Sequence, residues 1–212
     1  LHPIAQLGIQ YRFYPVMDNM TPDWQTMAKL VGQDSKAILM VHYFGQPQDI
    51  SRFQKFCKQH SLLLVEDNAH GHGGEFNGKL LGTYGEIGIS SPRKLLNTFS
   101  GGVLFLNGEI KLNIMNLPLY PVSGQLLFQK KLFNRFPNLK APLKKIIKRR
   151  PRYEDPRAFQ EPVVTDYYMD SDSIHVLNTI DWNKTRNERQ NAYDSWVHFA
   201  KKNGLQSVFK TL

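Results

Sequence analysis

Lys94 stands in "SSPRKLLNTFSGG" (90–102), between a pair of serines and a pair of glycines. Upstream of it, "LLLVEDNAHGHGG" (62–74) ends a greasy run in Asp67, His70 and His72. A lysine amine can form a Schiff base, and a carboxylate can pair with a cationic group on a ligand. Asp67, His70 and His72 also offer the oxygen and nitrogen donors of a metal site. Asp-x-x-His-x-His is not a dependable zinc spacing, however, and no fourth ligand stands nearby. The same stretch suits a turn with a capping Asp and two surface histidines. A lone lysine is ordinarily a solvated charge. A lysine between a Ser-rich turn and a Gly-Gly strand, downstream of an acidic strand end, suits a covalent cofactor site better.

The elements that would position these residues are legible as an α/β pattern. "KAILMVHYF" (36–44) reads as a buried strand, broken by Gly45 and Pro47. "QDISRFQKFCKQH" (48–60) places Ile50, Phe53, Phe56 and Cys57 at helical spacing, with Asp49 early and Lys58 and His60 late, as the helix dipole favours. "LLLVE" (62–66) follows as a second buried strand, and strand–helix–strand with apolar strands predicts a parallel sheet. Ligands bind such sheets at the carboxyl ends of the strands, where Asp67 falls. "GEIGISS" (85–91) and "GGVLFLN" (101–107) read as two further strands.

Beyond Asn107 the character changes. Residues 111–165 carry seven of the twelve prolines, and a helix is expected from about Ser171, where Ile174, Leu177, Ile180 and Trp182 recur. It is expected to run on towards Gly204, a plausible stop. The net charge of +9 concentrates in 130–152, which holds Lys130, Lys131, Arg135, Lys140, Lys144, Lys145, Lys148, Arg149, Arg150 and Arg152 without an acid. Such a cluster suits nucleic acid, an anionic membrane surface or a phosphorylated substrate, and equally a plain solvated basic loop or helix. No zinc-finger, RNP-like or helix-turn-helix signature accompanies it, so no nucleic acid is expected. One cysteine, Cys57, excludes an internal disulfide and fits a reducing compartment. The sequence has no apolar run long enough for a membrane span and no signal peptide, so a cytoplasmic protein is expected. It opens on Leu1 rather than Met, which suggests that its gene begins further upstream.

With these pieces in order, the chain resembles the DegT/DnrJ/StrS family of pyridoxal-phosphate-dependent sugar aminotransferases, within the fold-type I superfamily. "VHYFGQP" (41–47), "VEDNAHGHGGEFNGKLLGTYGEIGISS" (65–91) and "SPRKLLNTFSGGVLFLN" (91–107) carry the resemblance, which continues weakly through "MDSDSIHVLNTIDW" (169–182). It implies that residues 1–110 are part of a large cofactor-binding domain with a mostly parallel sheet. Residues 111–168 would then be a basic, Pro-rich connecting region, and 169–212 a helix leading to a truncated small domain. The chain is thus read as a fragment, lacking the N-terminal segment and most of the small domain.

The resemblance also implies roles. Asp67 would bond the protonated pyridine nitrogen of pyridoxal phosphate, Ala69 would pack on the ring, and His70 would lie near the ring hydroxyl. Ser90 or Ser91 would hold the phosphate. Lys94 would bond the cofactor covalently, leave as the amine when the amino donor arrives, and then move the proton. His72 receives no role and is expected at the surface or behind the site. The implied reaction moves an amino group from an amino acid, expected to be glutamate, to a nucleotide-linked keto sugar, in a homodimer. Three rivals stand beside it. One is a dehydratase of the same family, in which histidine replaces the lysine. The second is a non-catalytic interaction protein that keeps the sheet. The third, nucleic-acid binding through 130–152, rests on charge alone.

Overall fold

Alternation decides which side chains of the sheet meet the core. In this computed structural model, which describes residues 4, 6–110, 116–124, 128, 132, 135–136 and 167–206, strand β1 (Ala37–Val41) buries Ile38 and Met40. Strand β2 (Leu63–Asn68) buries Leu64, Glu66 and Asn68 on the same side. Helix α1 (Trp24–Leu30) and helix α2 (Ile50–His60) cover that side, and Met27, Ile50, Phe53, Phe56 and Cys57 join the core. Trp24 packs edge-on to Phe53 with ring centroids 4.8 Å apart. Asp49 is the N-cap of α2, its Oδ1 accepting the Arg52 N–H at 3.1 Å, so the helix begins one residue after the acid.

The main sheet has four strands in the order β1-β2-β5-β6, with β5 at Ile87–Ser90 and β6 at Val103–Leu106. The first three run parallel and β6 is antiparallel to β5, so the expected mostly parallel α/β sheet is found. Between β2 and β5 the chain makes a small hairpin, β3 (Glu75–Phe76) with β4 (Lys79–Leu80). Its Asn77-Gly78 turn takes positive φ at both residues, as a type I′ turn requires. That dipeptide was a readable hairpin signal in the sequence, and the long run to the next strand obscured it.

The C-terminal helix is two helices. Helix α3 (Ser171–Thr179) ends where Ile180 turns extended at ψ 134°, and Asp181 caps helix α4 (Trp182–Lys202) by accepting the Lys184 N–H. A capping Asp in mid-pattern restarts the helix, which the apolar spacing alone concealed. Asp170 caps α3 and binds it to the loop after the Lys94 turn. One oxygen accepts the Ser173 N–H at 2.9 Å, the other the Ser100 hydroxyl at 2.7 Å, while the Ser173 hydroxyl accepts the Phe99 N–H at 2.8 Å. Most of 111–168, and the basic cluster apart from Arg135, lie outside the described residues. Among the described residues no helix is long and apolar enough to cross a membrane.

Candidate functional site

The ladder brings the candidate residues to one edge. Asp67 on β2 pairs with Ile89 on β5, and Asn68 pairs with Ser90, so the carboxyl ends of two parallel strands lie side by side. Ala69 and His70 continue from one end, Ser91 and Lys94 from the other. Lys94 is exposed and closes a 3-10 turn (Pro92–Lys94) whose backbone is tied by the Lys94 N–H to Ser91 O at 3.2 Å.

The two acidic neighbours of β2 take opposite fates. Glu66 is fully buried, and its carboxylate accepts from the amides of Gly82, Tyr84 and Gly85 and from His42 Nε2 at 3.0 Å. Burial alone would raise its pKa, but the hydrogen bonds from His42, Gly85 and Gly82 outweigh it and hold the carboxyl below its ordinary value. His42 in turn accepts the Gln48 N–H on Nδ1, which fixes Nε2 as the protonated nitrogen. Glu66 thereby fastens the 82–85 loop beneath the sheet. The loop passes so near β5 that a Cβ on Gly88 would overlap the Gly82 carbonyl.

Asp67 points to the other face, which is half open: Leu63, Ile89 and Leu104 are 43%, 40% and 48% exposed. Its Oδ1 accepts the Ala69 N–H at 2.9 Å, a local turn that holds the carboxylate at the strand end. The alternation carries Ser91, extended at φ −120° and ψ 92°, to this same face. Ser90 falls on the buried face, where its hydroxyl meets His72 Nδ1 at 2.8 Å.

His72 is therefore not a surface residue. It is buried against Ser90 and lies edge-on to Trp182 of α4, ring centroids 5.4 Å apart, and burial pushes its imidazole below the usual pKa. Asp67, His70 and His72 are not gathered as a ligand set among the described residues. The residues missed from the sequence are Glu66 and His42, the buried anchors. The apolar run "LLLVE" followed by Asp67 does not itself show which of the two consecutive carboxylates faces the core.

His70 is exposed beside the loop that follows β1. Phe44 stacks on it, centroids 6.0 Å apart at 18°, and donates its backbone N–H to His70 Nδ1 at 3.3 Å. Phe44 lies in the left-handed region at φ 57°, a conformation that costs a bulky residue about 1 kcal/mol or more. Gly45 follows at φ 81° and crosses the loop after β2 so closely that a Cβ there would stand 2.9 Å from Gly71 Cα. Asn68 braces the second loop, donating to Gly71 O at 2.9 Å and Leu81 O at 3.1 Å.

Known proteins are similar to part of this chain. GDP-perosamine synthase of Vibrio cholerae is 32% identical over 88 residues, 41% of this chain and 24% of that protein. L-glutamine:2-deoxy-scyllo-inosose aminotransferase of Streptomyces kanamyceticus is 32% identical over 87 residues, 40% of this chain and 20% of its own length. Among solved structures, the GDP-4-keto-6-deoxy-D-mannose-3-dehydratase of E. coli with bound hydrated PLP is 30% identical, with a TM-score of 0.39, over 42% of this chain and 23% of that one. The chain spans about a quarter of the length of these proteins or less. Residues 1–124, more than half of the sequence, match the family model that describes such enzymes, and the chain belongs to the DegT/DnrJ/EryC1/StrS aminotransferase family.

Proposed function

We propose that this chain carries cofactor-binding residues of a pyridoxal-phosphate-dependent sugar aminotransferase that moves an amino group from glutamate to a nucleotide-linked keto sugar. One observation carries the reading. Asp67 and the Lys94 turn end neighbouring parallel strands, and the alternation assigns Asp67 and Ser91 to the same open face. The donor set fits the group: a carboxylate for a pyridinium, a small Ala69 for a flat ring, a hydroxyl for phosphate and an exposed amine for an aldehyde. Pyridoxal phosphate, when bound, supplies the electron sink that lets a proton leave the carbon bearing nitrogen.

The chain's own residues do the rest. Asp67 would hold the proton on the ring nitrogen, and its tie to the Ala69 amide keeps the carboxylate at the strand end. Lys94 Nζ would anchor the cofactor covalently, be released by the incoming amino donor, and carry the proton from one carbon to the other. Ser91 is the better phosphate ligand, because the Ser90 hydroxyl is committed to His72. The dehydratases of the family resemble this pattern with histidine at the lysine position, so Lys94 favours amino transfer. A homodimer belongs to the same proposal, and sedimentation at two concentrations checks it.

The test is to add pyridoxal phosphate to the purified protein and record the visible absorbance, then repeat it with Lys94→Ala. A band that needs Lys94 supports the reading. Its absence sinks the catalytic role of this chain and favours an interaction protein that keeps the sheet.

A further inference from the structure

We infer that Phe44 is a positioning residue: its backbone amide locks His70 in the tautomer whose only N–H is at Nε2, making His70 an obligate donor to an acceptor oxygen of the ligand. An amide N–H can only donate, so the His70 Nδ1 that meets it at 3.3 Å must carry a lone pair. Neutral imidazole has one proton, which then resides on Nε2. A ring turned by 180° about its axis would present a C–H to the amide and leave the donor without its partner. The stacked Phe44 ring holds the imidazole plane, 18° between the two.

The backbone around Phe44 presents its amide to His70. Phe44 sits at φ 57° and Gly45 at φ 81°, two successive left-handed residues at the end of β1. Gly45 touches Gly71, one residue past His70, so the two loops cross next to the imidazole. A strained aromatic residue at the carboxyl edge of a parallel sheet, 66% exposed, suits a loop that meets a ligand.

A locked donor selects an acceptor, and the oxygen of the hydroxyl on the pyridoxal phosphate ring, the group placed near His70 above, is one. This part rests on the proposed function. It also predicts which residues can replace His70. A side chain here must accept from the Phe44 amide with one atom and donate to the ligand with another. Glutamine does both with its carbonyl and NH2, whereas leucine and glutamate do not.

The experiment has two arms. Nitrogen-edited imidazole spectra of the cofactor-free protein, with His70→Gln identifying the signal, should show His70 protonated at Nε2 alone. The pattern should persist in Phe44→Gly, which keeps the amide and accepts the left-handed φ. A signal protonated at Nδ1, or an even mixture, overturns the lock. In the second arm, pyridoxal phosphate is titrated against the visible absorbance. His70→Gln should bind within about threefold of the parent, and His70→Leu and His70→Glu at least about tenfold more weakly. Leucine as good as histidine, or glutamine as poor as leucine, overturns the donor role. If the parent chain takes up no cofactor the proposed function fails, and the spectra alone then uphold or overturn the lock.

Discussion

Glu66 and Asp67 are consecutive on β2, yet their carboxylates leave the sheet on opposite faces, one sealed under four donors and the other on the half-open side. The period of two in a strand turns adjacent acids into a structural anchor and a carboxylate on the open face. Substituting each acid separates the roles. Glu66→Gln replaces an acceptor-only group by one whose NH2 confronts amide donors, and should cost about 2–4 kcal/mol in urea unfolding. Asp67→Asn, on the open face, should cost under about 1 kcal/mol while weakening the Lys94-dependent absorbance with pyridoxal phosphate.

The two serines should behave as differently. Ser90→Ala removes the buried partner of His72 and is expected to lower stability by about 1–2 kcal/mol. Ser91→Ala should leave the unfolding midpoint within about 0.5 kcal/mol and weaken cofactor uptake about tenfold. Parallel unfolding and titration of both variants check the assignment.

Stability should fall with acid in two stages. Burial holds His72 below its ordinary pKa of 6.5, so below that pH the unfolded chain binds the proton more readily than the folded one. Folding therefore weakens as pH drops from about 6.5, and His72→Gln should flatten this limb. Glu66 is held below its ordinary 4.5 by its donors, so a second loss begins as pH falls through that value. Urea midpoints measured from pH 8 to pH 3 display both stages.

The close pass of the 82–85 loop over β5 can be tested at two glycines. Gly88→Ala would drive a Cβ into the Gly82 carbonyl and should cost more than about 3 kcal/mol. Gly78→Ala has open space around it and only the penalty of its φ of 73°, about 1 kcal/mol. Thermal melts of the two variants should rank them in that order.

Asp170→Ala should loosen α3 from the loop after Lys94. It deletes the cap to the Ser173 amide and the bond to the Ser100 hydroxyl, a loss of about 2 kcal/mol. Faster amide exchange confined to 171–179 and 98–101 is the expected signature.

The sequence alone determined the strand–helix–strand order, the carboxyl-edge position of Asp67 and the ordered family motifs, because apolar periodicity and short motifs are local properties. Tertiary structure decided the rest. Which carboxylate enters the core depends on the sheet's register and on which face the helices cover. Ser90 and Ser91 are equivalent in a string and opposed on a pleated strand. His72 was open between the surface and a place behind the site because its partners, Ser90 and Trp182, are 18 and 110 positions away. Phe44 showed no sign of a role until two loops crossed at Gly45 and Gly71 and brought its amide to His70. Such contacts join residues distant in the chain, and only the folded backbone sets their distances.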